Sequence, residues 1–474
     1  MRKATKLYVL LGVLLVICIA AFAVNNHEEK KEQIKNSGEV ILEIPTDSVT
    51  ALSWTNDDGT FSFTKGESWS YEDDSAFPVD EEKVNNLLSQ FESFSAAFVI
   101  DDVEDYSQYG LDEPICTINI TAGDESYTIE LGDYSKMDEQ RYFSIGDGKA
   151  YLAQHDPLEE FDAVLKDTVL DDTIPEFDTA EQITFSGSES YSITYNEEGK
   201  SICEDDVYFT DDKPLDTSNV DSWLSTLKGL SLDNYVSYNV TDEELETYGM
   251  NDPALTISLD YSSTDDDGNV TDSGSFTLNL SQNPAELEEY NKAVEDEETD
   301  LPSVTCYARV GESQIVYKIS QDDYDALVAV SYDTLRHQKL FTADFDTATS
   351  IDVRLDGNEY SFVYAVPDEK ADDKDAEETW TYDGVEFDVS DLRSALKAVS
   401  AAEFTDEKPT GQEEISLTVH LDNEDFPEFT LTLYRYDGTN CIAKVDGKSV
   451  AFVSRSQTVD LIEAVNALTL GSAE

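Results

Sequence analysis

The chain has 474 residues, of which 103 are acidic and 30 basic, giving a formal charge of −73. A body this acidic repels nucleic acid and anionic lipid head groups, which sets nucleic-acid binding aside. Hydrophobic residues still make up 40% and aromatics 11%, enough for packed cores in about three domains of roughly 150 residues each.

The chain opens with a basic tip, 1–6, carrying Arg2, Lys3 and Lys6. An apolar run follows, 7–24, and the polar residues Asn25 to Lys30 end it. At 1.5 Å per residue it spans about 27 Å, near the thickness of a bilayer's hydrocarbon core. The run therefore reads as a single transmembrane helix or signal anchor, its basic flank cytoplasmic and its carboxyl-terminal body extracytoplasmic. A cleaved signal peptide is the competing reading, because Ala21-Phe22-Ala23 fits a small-x-small cleavage pattern. The run exceeds the usual signal core of about 7–15 residues, which favours retention. Cys18 follows Val16 and Ile17 rather than small residues, which argues against a lipoprotein. A polar stalk, 25–39, leads into the body.

From there one unit recurs three times, at 40–178, 179–344 and 345–474. Each begins with alternating strands: VTALSWT from Val49 and TFSFTKG from Thr60, EQITFSG from Glu181 and YSITYN from Tyr191, TSIDVRLDG from Thr349 and YSFVYAV from Tyr360. An aspartate then caps an amphipathic helix: Asp80 before Val84, Leu88 and Phe91, Asp216 before Val220, Leu224 and Leu227, Asp388 before Leu392, Leu396 and Val399. YGLDEPICTINI from Tyr109 matches YGMNDPALTISL from Tyr248, whereas the third unit has Lys408-Pro409-Thr410-Gly411 before ISLTVHL. Each unit closes with a hairpin starting at Arg141, Cys306 or Cys441, then a helix holding Phe161, Leu327 or Ile462. Gly146-Asp147-Gly148 and Asp446-Gly447 supply hairpin turns. Acidic insertions at 262–275 and 284–302 in the second unit, and 368–378 in the third, read as solvated loops. The expected fold is α+β: an amino-terminal transmembrane helix, then three repeated β-rich units, each an antiparallel sheet with two short covering helices.

Trp69, Pro78-Val79-Asp80, Tyr109-Gly110-Leu111-Asp112-x-Pro114, Leu131-Gly132 and Arg141-Tyr142 form an ordered set. That set resembles the bacterial domain-of-unknown-function 4340 family over roughly residues 70–330. The second unit departs in carrying Cys306 where the arginine would stand, and the third in lacking the Tyr-Gly-Leu turn. The resemblance implies an amino-terminal membrane anchor and association with ABC-type export systems related to gliding-motility transporters. It implies no catalytic residues.

The sequence nominates no catalytic, cofactor-binding or metal-binding residue, and no cofactor. His27, His155, His337 and His420 lie far apart, with no zinc-site spacing. Neither a Gly-x-Ser-x-Gly elbow nor a phosphate loop occurs. Asp265, Asp267 and Asn269 begin a calcium-loop pattern that fails at Val270 and Phe276, leaving diffuse divalent-cation binding by the acidic surface open. Carboxylate pairs for a hydrolase abound, and for that reason identify none. Cys116, Cys203, Cys306 and Cys441 read as buried thiols, with disulfides left open; matching repeat positions argue against a Cys306–Cys441 pair. Trp54, Trp69, Trp223 and Trp380 are either core residues or a stacking platform for glycans, and their places beside the capped helices favour the core. Arg141 reads as the buried partner of a turn carboxylate. The functional expectation is a membrane-anchored extracytoplasmic accessory protein partnered by ABC-transporter permease or ATPase subunits; the alternative is a cell-surface module binding wall glycans or peptides.

Overall fold

Period-two alternation marks the central strands, as in Cys116–Ala122 and Glu413–Leu421, where every second side chain is buried. The computed structural model describes residues 38–365 and 379–471. The first sheet contains β1 (Glu39–Leu42), β2 (Val49–Asn56), β3 (Gly59–Lys65), β4 (Trp69–Tyr71), β5 (Phe94–Ile100), β6 (Cys116–Ala122), β7 (Glu125–Ser135), β8 (Gln140–Ser144) and β9 (Ala150–Ala153). The second contains β10 (Thr179–Gly187), β11 (Ser190–Tyr195), β12 (Tyr208–Thr210), β13 (Lys213–Pro214), β14 (Tyr235–Ser237), β15 (Leu255–Thr264), β16 (Val270–Gln282), β17 (Cys306–Val310) and β18 (Val316–Ile319). The third contains β19 (Ala348–Leu355), β20 (Asn358–Ala365), β21 (Thr379–Tyr382), β22 (Val385–Phe387), β23 (Glu403–Phe404), β24 (Glu413–Leu421), β25 (Glu428–Arg435), β26 (Asn440–Val445) and β27 (Lys448–Ser454).

The second sheet runs β13-β12-β11-β10-β15-β16-β17-β18-β14 across its width, and the third runs β22-β21-β20-β19-β24-β25-β26-β27-β23. These are one order. The first sheet keeps it as β4-β3-β2-β6-β7-β8-β9-β5, then adds β1 beyond β5. It lacks the outermost strand next to β4; there Val79 makes a lone bridge to Val169. Each sheet joins two ladders through one pair distant in sequence: β2 with β6, β10 with β15, β19 with β24. All three of these pairs carry a register shift at the same place, between Val49 and Ala51, Ala180 and Gln182, and Ala348 and Ser350.

The helices are α1 (Glu81–Ser89), α2 (Leu158–Phe161), α3 (Thr217–Lys228), α4 (Asp242–Thr247), α5 (Pro284–Glu295), α6 (Gln321–Val328), α7 (Tyr332–Leu335), α8 (Ser390–Ala398) and α9 (Arg455–Gly471). Asp80 caps α1 by accepting from the amides of Glu82 and Lys83, and Asp216 caps α3 by accepting from Ser218. Asp388 accepts from the Ser390 amide but stands two residues before α8, whose cap position is Val389 with no side-chain cap. α1 buries Val84, Leu87 and Leu88 against Trp54, Phe63 and Ile118 of the first core, and α8 buries Leu392 and Leu396 in the third.

The expected α+β class is corrected: the body is three nine-stranded antiparallel sheets, with helices in the minority. The stretch around the second sheet carries five helices rather than two, and most are one to three turns long. Among the described residues no helix is long and apolar enough to cross a membrane. The expected tip and transmembrane helix, and all of the stalk before Gly38, lie outside the described residues, as does the insertion 368–378. Two other insertions are regular structure. Residues 262–275 extend the β15–β16 hairpin with Ser262 opposite Ser273, and 284–302 opens with α5, whose cap is Asn283 and whose first position is Pro284.

By its contacts the chain divides into two compact units. One holds the described residues up to Thr173 with Leu232–Asp242 and Ser313–Tyr317; the other holds Ile174–Ser231, Glu243–Glu312 and Lys318 onward.

Candidate functional site

The signature residues Tyr109-Gly110-Leu111, Leu131-Gly132 and Arg141-Tyr142 meet in one place, whereas Trp69 and Asp80 stand at α1, where Trp69 donates to Asn85 and Asp80 is the cap. The turn Tyr106–Tyr109 ends at Gly110, whose φ of 68° is the left-handed conformation glycine adopts without strain. Gly132 lies at a register shift of β7 and passes so close that a Cβ there would sit 2.2 Å from the Tyr109 carbonyl oxygen. Arg141, only 8% exposed, donates from Nη1 to that Gly132 carbonyl at 2.9 Å and from Nε to Asp156 at 2.7 Å. Asp156 also accepts from the Leu158 amide at the start of α2. The Tyr109 and Tyr142 rings pack 4.9 Å apart. Every polar group of Arg141 named here is spent on a turn, a strand and a helix start. As expected from the sequence, its partner is a turn carboxylate.

The same position in the second repeat keeps the ring pair, Tyr248 with Tyr307 at 4.9 Å, and exchanges the charges for Cys306 Sγ beside Gln321 Oε1 at 3.2 Å. Both pairs, Arg141–Asp156 and Cys306–Gln321, are 15 residues apart in sequence. Burial pushes the Cys116 thiol up to about 12, a value no thiolate nucleophile has. Cys116, Cys203, Cys306 and Cys441 are all free thiols, and Cys203 alone among them is not fully buried. All four tryptophans are buried, with Trp54 wholly so and donating from Nε1 to the Ala163 carbonyl at 2.9 Å.

A second cluster forms where the second repeat runs into the third. The loop between β11 and β12 carries Ser201, Cys203 and Asp206, and Thr217 ties it to α3 by donating to the Asp205 carbonyl and accepting from the Val207 amide. The connection after α7 brings His337 against it. His337 Nε2 lies 2.8 Å from Asp206 Oδ1, and Nδ1 lies 3.3 Å from Asp216 Oδ2. Asp206 is 4% exposed and accepts from Ser201 Oγ at 2.6 Å. The Cys203 sulfur, an Asp206 oxygen and a His337 nitrogen all lie within 4.8 Å of one another. Burial raises the Cys203 thiol to about 11. Burial alone would lower His337, but the hydrogen bond and charge of Asp206, then the charge of Asp216, outweigh it and leave the imidazole above its ordinary value.

These residues stand in a stitched seam. The Asp216 amide donates to the Leu335 carbonyl, while the Leu340 and Ala401 amides fix the connection to the third repeat through Val399 and Gln338. The Arg336 guanidinium lies 3.9 Å from the Phe404 ring centre, and Lys200 pairs with Asp425. The sequence pointed to none of this, because 131 positions separate Asp206 from His337.

The family described as domain of unknown function (DUF4340) matches residues 69–213 and 207–423. The chain belongs to the DUF4340 family. The match extends beyond the stretch that the signature residues covered, into the third sheet. No curated protein and no solved structure matches the chain. In this DUF4340 member Tyr109, Gly110, Gly132, Arg141 and Tyr142 build a packing knot, with glycine needed for backbone approach and arginine for buried carbonyl and carboxylate.

The remaining sequence candidates are local. His420 lies between Asp352 and Glu428 on the third sheet, at 2.9 and 3.4 Å. His155 is exposed, and His27 lies outside the described residues. Asp265 accepts from the amides of Asp267 and Asn269, so the failed calcium pattern is the cap of the β15–β16 hairpin turn.

Two outcomes follow from this geometry. Gly132→Ala forces a methyl against a backbone oxygen and lowers stability by about 1–3 kcal/mol in denaturant unfolding, whereas Gly66→Ala, with nothing within 4 Å, changes it by less than about 0.5 kcal/mol. In protein treated with chelator, His337 holds its proton more tightly folded than unfolded, because its folded value lies above 6.5. Its contribution is complete below about 6.5 and is lost as pH rises through the raised folded value. The unfolding midpoint measured by circular dichroism therefore falls across that window, and His337→Gln flattens the fall.

Proposed function

We propose that this DUF4340 chain is a non-enzymatic accessory and interaction protein, its body held outside the cytoplasm at a membrane, working with an ABC-type transporter. The observation that carries the non-catalytic part is the use of the signature residues. Arg141, Asp156, Gly110 and Gly132 are consumed in holding strands and turns together, and Cys116 beneath them is a buried, protonated thiol. Support for the location is the basic tip with Arg2, Lys3 and Lys6 before the apolar run 7–24. Support for the partner is membership of the family whose resemblance carries that association. The high negative charge fits a solvated surface that stays clear of anionic head groups.

A wall-glycan module is the weaker reading, since Trp54, Trp69, Trp223 and Trp380 are all buried and offer no stacking platform. The two readings part in one experiment. The full chain, extracted in mild detergent from its own cells, should co-purify with a permease and an ATPase and should not sediment with cell-wall polysaccharide. Recovery free of any transporter subunit, together with retention on the polysaccharide, overturns the accessory role.

A further inference from the structure

We propose that Cys203, Asp206 and His337 form a binding site for a zinc-class divalent transition-metal ion, which clamps the seam between the second and third repeats. This goes beyond the accessory role and stands whether or not that role holds. The donors are one sulfur, one carboxylate oxygen and one imidazole nitrogen, the mixed set that suits a borderline-soft ion rather than calcium or magnesium. Zinc bonds of about 2.0–2.3 Å place tetrahedral ligand atoms roughly 3.3–3.8 Å apart, so donors already within 4.8 Å reach that spacing by small side-chain rotations, the 2.8 Å His337–Asp206 pair opening slightly.

The surroundings are those of a built site. Asp216 faces His337 Nδ1 at 3.3 Å, which orients the ring and presents Nε2 to the ion. Ser201 Oγ donates to Asp206 Oδ2 at 2.6 Å, which holds that buried carboxylate in place. The His337 side chain keeps 21% of its surface exposed and Asp216 keeps 27%, leaving a path for the ion and a fourth position for water. On binding, the ion takes the place of protons: the Cys203 thiol gives up its proton as the S–metal bond forms, and Nε2 gives up the one it shares with Asp206. Those protons pass to solvent.

The position gives the ion a structural consequence. Ile202, next to Cys203, packs against the core of the third sheet, while Asp206 and Asp216 belong to the loop and helix of the second repeat. His337 sits on the connection between them. An ion bound to all three ligands therefore ties the β11–β12 loop to the connection that leads into the third sheet.

The full chain in detergent, freed of metal and held in excess Mg²⁺ and Ca²⁺ to saturate its acidic surface, is titrated with Co²⁺ and then Zn²⁺. The expected result is a sulfur-to-cobalt charge-transfer band in the near ultraviolet at one ion per chain, bleached by one equivalent of Zn²⁺. Cys203→Ser removes the band, and Asp216→Asn, which leaves all three ligands in place, weakens Zn²⁺ binding by about 10–100-fold. Absence of the band in the unsubstituted protein overturns the site without recourse to any variant. A band that survives in Cys203→Ser also overturns it, since another thiol then holds the ion.

Discussion

Three strand pairs hold this molecule together: β2 with β6, β10 with β15 and β19 with β24. In every repeat the strands before the helix α1, α3 or α8 form one ladder, β1 apart, and those after it form another, which β1 joins through β5. Only the pair in the middle turns two ladders into one sheet, and it closes over a long loop whose ordering cost must be met by burial. The buried side of that pair is apolar in each case: Leu52 and Trp54 beside Ile118 and Ile120, Ile183 and Phe185 beside Ile257 and Leu259, Ile351 and Val353 beside Leu417 and Val419. A helix lies over two of these seams, as α1 and α8 show. The shared register shift at the second or third residue of β2, β10 and β19 bends the three sheets at the same point.

Seen this way, the family signature is a description of architecture. Tyr109-Gly110-Leu111 and Leu131-Gly132 are two backbones that touch, and Arg141 fills the remaining polar vacancy by bridging a carbonyl and Asp156. The second repeat keeps the contact and replaces the ion pair with Cys306 and Gln321, since a thiol and an amide can fill the space without a buried charge. Chemistry that the signature leaves unused gathers instead at the repeat seam, around His337.

Much of the fold is legible in the sequence because local physics writes it there. Asp80 and Asp216 announce helix starts through the amides they accept, and Gly146-Asp147-Gly148 and Asp446-Gly447 announce the β8–β9 and β26–β27 turns. The β15–β16 extension past Ser262 is illegible because its first residues from Val270 stay exposed, so no apolar alternation marks them. Helix α5 is hidden for a similar reason: it buries only Ala293, although Asn283 and Pro284 signal its start. Short pieces such as β13 and β23 carry no sequence signal because they pair for only two residues at a sheet edge. Cys203, Asp206 and His337 carry no local signal at all. Their meeting depends on hydrogen bonds from Asp216 and Ala401 that fix both sides of the connection after α7.

Amide hydrogen exchange followed by mass spectrometry tests the central pairing most directly. If each repeat is one nine-stranded sheet, peptides covering β2 and β6, β10 and β15, and β19 and β24 are the slowest to exchange, and the two members of each pair lose protection together under denaturant. Fast exchange in one member of each pair while its own hairpin stays protected contradicts the account, because the ladders would then be separate sheets.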